Sequence, residues 1–121
     1  MQILQHCFRV YADAGEFDAS VRFYEDLQQT KCERRVEIPE TRTKAAKVGR
    51  FLILGGDQES LSAVKHVDAI FYLDSLDEFH AWLNRNGAKI VRPPREVTGG
   101  RNLTARHPDG LVVEYFEAAA S

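Results

Sequence analysis

The residues of this sequence that could do chemistry are few, and most lie on stretches that read as strands. Val67, Ala69, Phe71 and Leu73 form an unbroken apolar face, which leaves His66, Asp68, Ile70 and Tyr72 on the other side. Near the C-terminus, Glu114 shares a face with Val112 and Phe116. Polar groups set among aromatic and apolar ones are the usual lining of a small-molecule pocket. Other chemistries find less support. Cys7 and Cys32 are the only cysteines, each inside a strand-like run and without CxxC spacing. Buried free thiols in a reducing cytoplasm are the plain reading, ahead of a disulfide or a zinc knuckle. No Ser-His-Asp or Cys-His set has usable spacing. Gly99-Gly100 is a lone glycine pair, which fits a hairpin or a bulge better than a phosphate cradle.

The elements that must position these residues come in a repeated order. Ile3 to Tyr11 reads as a strand, broken at Ala12-Asp13-Ala14-Gly15. An amphipathic helix follows over about Glu16 to Gln28, with Phe17, Val21, Tyr24 and Leu27 or Gln28 at helical spacing. Three extended stretches come next: Cys32 to Ile38, Lys44 to Val48 and Phe51 to Leu54. The middle one is polar enough to lie at a sheet edge. Gln58 to Ala63 reads as a polar connector. The pattern then restarts with a strand over Val64 to Leu73. Ser75 can cap a helix that runs to about Asn86, with Asp77 and Glu78 in its first turn and Gly87 as its stop. Strands over Lys89 to Arg92, Asn102 to Arg106 and Leu111 to Phe116 follow. His107-Pro108-Asp109-Gly110 suits a type I turn between the last two.

The order β-α-β-β-β therefore occurs twice. The fold class is α+β: two modules forming a curved mixed sheet around a cup, with both helices on the outer face. A single domain over 1–121 is expected, module one about 1–57 and module two about 64–118. At 121 residues, two separate cores are not expected.

Whole-chain properties exclude several classes. The chain is 44% hydrophobic and 28% charged, as globular proteins are. Its net charge of −2 comes from 16 basic and 18 acidic residues, with no long basic run, so the footprint of a nucleic-acid binder is missing. No apolar segment approaches the ~20 residues that span a bilayer. The N-terminus lacks the basic start and apolar run of a signal peptide. A cytoplasmic protein without nucleic-acid or membrane partners is expected.

Three stretches resemble the vicinal oxygen chelate superfamily of glyoxalases, bleomycin-resistance proteins and extradiol dioxygenases. Phe23-Tyr24-Glu25-Asp26-Leu27 is similar to the family's FYxxxLG, with Gln28 and Gln29 where the glycine would fall. Asp74-Ser75-Leu76-Asp77-Glu78-Phe79 is similar to its strand exit into the second helix. Gly100-Arg101-Asn102 through His107-Pro108-Asp109-Gly110 to Glu114 is similar to its final hairpin with DPDGxxxE. The resemblance covers essentially the whole chain. It implies a cup-shaped pocket and a homodimer, and no single reaction.

Metal-using members hold a divalent ion with two histidines and a glutamate. The resemblance offers His6, His66 and Glu114 on the corresponding elements, a set suited to several first-row metals. Strand alternation opposes it. Aligning on Arg9-Val10 puts Gln5, Cys7, Arg9 and Tyr11 in the cup and His6 in the core, and counting back from Asp74 places the ligand position at Asp68. Ile53 falls near the place where glyoxalase has a carboxylate. Thr104 stands where ring-cleaving dioxygenases have a tyrosine.

The preferred expectation is a glyoxalase- or bleomycin-resistance-like protein that binds a small organic molecule without a complete metal site. Its pocket residues are Arg9, Tyr11, Asp68, Tyr72, Arg101, Glu114 and Phe116. No cofactor is assigned, and a divalent metal is the open alternative. In that alternative the protein is a metal-dependent lyase, isomerase or dioxygenase using His6, His66 and Glu114.

Overall fold

The computed structural model describes residues 1–120. The chain is α+β and divides into two compact units, Cys7–His66 and Met1–His6 with Val67–Ser121. Each contains one βαβββ module, apart from the first residues of the first strand, which belong to the second unit.

The Cys7–His66 unit, the α1 unit, holds most of strand β1 (Ile3–Asp13), helix α1 (Phe17–Gln28), and strands β2 (Arg34–Ile38), β3 (Thr43–Val48) and β4 (Phe51–Gly56). The strand order is β2-β3-β4-β1, with β1 parallel to β4 and the other pairs antiparallel. Helix α1 covers one face. Its Phe17 and Val21 pack on Ala46, Val48 and Ile53, flanked by Val10, Ala12 and Phe51. The polar β3, which composition places at an edge, lies between β2 and β4. Its lysines do not prevent this, because Lys44 opposes Glu37 across the strands while Ala46 and Val48 are buried. The last helical turn turns an amide inward. Gln28 Nε2 donates to the Tyr24 and Val48 carbonyls at 2.9 Å, and its Oε1 accepts from Arg50 N at 2.9 Å. Leu27 points outward, 60% exposed.

The expected connector at Gln58 to Ala63 is instead a short helix, α2 (Gln58–Ser62). Its cap explains it: the Asp57 carboxylate accepts from Ser60 N at 2.7 Å, which also holds that carboxyl below its usual range. The strand expected from Val64 begins only at Ala69, because residues 63–66 form a turn after α2.

The second unit, the α3 unit, holds strand β5 (Ala69–Leu73), helix α3 (Leu76–Arg85), and strands β6 (Lys89–Val97), β7 (Gly100–Arg106) and β8 (Val112–Ala118). The order is β5-β8-β7-β6, with β5 parallel to β8 and the rest antiparallel. Leu76, Phe79 and Leu83 of α3 bury against Ala69, Leu73, Leu103, Ala105, Val113 and Tyr115. Fully burying such a side chain is worth about 1.5–3 kcal/mol, so this stripe seats the helix. Strand β6 runs past Arg92 through Pro93 and Pro94. Its pairing with β7 shifts register twice there, as prolines on an outer strand allow. The final hairpin closes as expected, with Gly110 N donating to His107 O at 2.9 Å and Gly110 at φ +99°.

Candidate functional site

In the α3 unit, the face turned away from α3 gathers the chemistry. Leu103, Ala105, Val113 and Tyr115 point into the core under α3. Strand alternation therefore sends Asn102, Thr104, Glu114 and Phe116 to the opposite face. The registers align two rows. Tyr72 opposes Phe116, Phe116 opposes Asn102, and Asn102 opposes Arg95. Ile70 opposes Glu114, Glu114 opposes Thr104, and Thr104 opposes Arg92.

The Tyr72 and Phe116 rings meet edge to face, 5.9 Å between centroids at 82°. Such pairs contribute about 0.5–1.5 kcal/mol beyond their burial and fix each other's orientation. Next to them, Asn102 Nδ2 donates to Glu114 Oε2 at 2.8 Å. Asn102 is only 9% exposed, and its Oδ1 is buried without a hydrogen-bond partner among the described residues. A buried amide oxygen left in this state costs about 1–3 kcal/mol unless something donates to it. The hairpin that places these residues needs Gly100, where a Cβ would run into the Glu117 carbonyl. The glycine pair thus serves a tight strand approach.

The other sequence-derived residues are distributed more widely. Asp68 joins strand ends: its N–H donates to Val112 O at 2.8 Å and its Oδ2 accepts from Val112 N at 2.9 Å. Arg101 is on the α3 side, 3.3 Å from Asp77. Its cross-strand partner Glu117 accepts from Leu76 N at 2.7 Å. Arg9 and Tyr11 belong to the α1 unit, on the face away from α1, with the guanidinium 5.5 Å from the Tyr11 ring centre. The Tyr11 hydroxyl donates to Val64 O at 3.1 Å. Ile53 is wholly buried under α1, so its side chain is on the helix face of β4.

The set His6, His66 and Glu114 does not fit the divalent ion that metal-using proteins of this fold hold. The His6 ring packs edge-on to Phe71 at 6.2 Å, and Phe71 belongs to the cluster under α3. Glu114 is on the opposite face. His66 is exposed in the turn after α2, not on a strand. No group of three or more His, Cys, Asp or Glu that could hold a metal ion occurs among the described residues.

A concavity of about 580 Å³ opens on the α3 side of the same unit, between Met1, Ile3, Phe79, Trp82, His107 and Tyr115. Within it the Tyr115 hydroxyl and His107 Nε2 are 2.6 Å apart. Burial pushes the Tyr115 phenol up to about 12. Its walls are mostly apolar and offer little to orient a polar substrate. Burial also pushes the Cys7 thiol up, away from thiolate chemistry.

Sequence reasoning missed Asn102 and Thr104 beside Glu114, and Arg92 and Arg95 opposite them on β6. For β7 the signal was present: Leu103 and Ala105 are the apolar alternates, so Asn102 and Thr104 must face the other way. For β6 it was not, because the shifts around Pro93-Pro94 reset its alternation.

Two βαβββ modules, each a mixed sheet with one covering helix, define the fold of the vicinal oxygen chelate proteins. A methylmalonyl-CoA epimerase from Streptomyces coelicolor, in complex with 2-nitronate-propionyl-CoA, has this fold at TM-score 0.62 and 18% identity, over 97% of this chain and 99% of that one. The methylmalonyl-CoA epimerase of Mycobacterium tuberculosis gives 0.59 and 17%, over 96% and 87%. At such identities the likeness shows the fold alone. No protein-family model matches the sequence, and no curated protein does. The chain belongs to the same family as an uncharacterized protein of Methanosarcina mazei, at 41% identity and TM-score 0.88 over 98% of this chain and 95% of that one.

Proposed function

We propose that the chain is a small-molecule-binding protein of the vicinal oxygen chelate fold. Its ligand is a small, partly aromatic or polar organic molecule held against the strand face of the α3 unit turned away from α3. The observation that carries this reading is the unsatisfied Asn102 Oδ1 beside Glu114 and the Tyr72–Phe116 ring pair. Buried polar groups are nearly always paired, and an unpaired one calls for an explanation. Here a bound molecule supplies the missing donor while the two rings pack on its apolar part. Of the pocket residues read from the sequence, Tyr72, Glu114 and Phe116 share this face. Neighbours of the same fold hold organic ligands, as the epimerase with its CoA derivative does, which supports the reading by analogy.

A thermal-shift screen of a metabolite library tests it. Ligands that raise the melting temperature are expected, and their shifts should fall sharply in Phe116→Ala, each measured against the variant's own baseline. A library that moves no melting temperature, or hits indifferent to Phe116→Ala, overturns the reading.

A further inference from the structure

We infer that the ligand of this site is a hydroxy acid: an apolar or aromatic body, a hydroxyl, and a carboxylate in line. The inference rests on the site proposed above and names its ligand class. Phe116, Asn102 and Arg95 stand directly opposite one another on three adjacent strands. Neighbouring strands are ~4.8 Å apart, so the row spans roughly 10 Å, the scale of a small organic acid once an arginine side chain reaches in.

Each position asks for a different group. Phe116, with Tyr72 at its edge, presents apolar ring surface. Asn102 presents an acceptor, because its bond to Glu114 uses the NH₂ end and thereby fixes which end of the amide is oxygen. That oxygen requires an O–H or N–H from the ligand. Arg95, exposed on β6, presents a guanidinium, and Arg92 is exposed beside Thr104 one row away. Guanidinium groups attract a carboxylate in a two-pronged geometry and repel an ammonium. A neutral hydroxyl supplies this donor at a lower desolvation cost than a charged amine, because Asn102 is buried. A carboxylate two strands from Glu114 also avoids the like charge there.

Three probes differing by one group each test this by calorimetry: 3-phenyllactate, 3-phenylpropionate, which lacks the hydroxyl, and 3-phenylpropane-1,2-diol, which lacks the carboxylate. Phenyllactate is expected to bind at least tenfold more tightly than either. Arg95→Gln, an exposed change that should not disturb folding, is expected to erase its advantage over the diol and keep its advantage over phenylpropionate. Equal affinities for the three probes, or an unchanged ranking in Arg95→Gln, overturn the hydroxy-acid class. If none of the three binds while library hits still depend on Phe116, the class fails and the site stands. If no ligand depends on Phe116, both fail.

Discussion

Single residues show how the chain departs from its own sequence motif. The helix-end pattern that resembles FYxxxLG lacks its glycine, and the backbone has kept the conformation that glycine would take. Gln29 caps α1 in the left-handed region at φ 53° and ψ 46°, donating to the Asp26 and Glu25 carbonyls. A non-glycine residue there costs about 1 kcal/mol through its Cβ, which glycine lacks. Gln29→Gly is therefore expected to raise stability by about 1 kcal/mol, measured as a higher urea midpoint with an unchanged slope. A lower midpoint would show that the Gln29 side chain, whose amide donates to Asp26 O at 2.7 Å, contributes more than the strained backbone costs. The preceding Gln28 has the opposite character. Its amide satisfies three backbone groups and ties α1 to the β3–β4 turn. Spacing alone left Leu27 and Gln28 as alternatives for the buried stripe, because they differ by one step of helical rotation. The backbone groups of residues 48 and 50 select the amide.

At the scale of elements, α3 is held at its start by two devices, of which only one is visible locally. Ser75 Oγ accepts from Glu78 N at 3.3 Å, the capping expected from Ser75 preceding an apolar stripe. Glu117, on β8, accepts from Leu76 N, and Arg101 holds Asp77 in the first turn. A carboxylate at a helix start also complements the helix dipole. Ser75→Ala is expected to cost about 1 kcal/mol and Glu117→Gln less, since an amide oxygen still accepts. Glu117→Ala should cost as much as Ser75→Ala or more, because Leu76 is fully buried and its N–H has no water to turn to. Denaturant unfolding of the three variants checks the order, and a silent Glu117→Ala would remove the second device. Glu117 shares a strand with Glu114, but odd and even positions send one to α3 and the other to the candidate site. The same alternation separates Arg101 from Asn102. Motif reading brings out Arg101 in the final hairpin, while the geometry gives it to the helix.

For the molecule as a whole, the Tyr115 phenol makes stability depend on alkaline pH. Desolvation raises it from 10 to about 12 in the folded state, because burial penalises the phenolate. The protonated form is therefore favoured by folding. Its contribution is fully present below pH 10 and is lost as pH rises from 10 towards 12. The urea midpoint should fall over this window, and the fall should be shallower in Tyr115→Phe, which has no proton to lose. An identical decline in the two proteins would assign the loss to other groups. Tyr115 sits in the cluster under α3, so this window reports on that core and not on the face that carries Glu114.

Much of this protein follows from the order of its residues. The repeated β-α-β-β-β order, the α3 stripe and the closing turn all arise from local periodicity, capping and turn chemistry, which act over a few residues and are written in them. The placement of Glu114 and Phe116 on one face follows equally from alternation. Three outcomes required the folded chain. Helix α2 displaced the start of β5 and left His66 in a turn. The β6 register shifts brought Arg95 opposite Asn102. The interior position of β3 comes from its pairing with β2 on one side and β4 on the other. Each depends on a partner strand or a capping contact elsewhere in the chain, and no period within one segment encodes which neighbour it will meet.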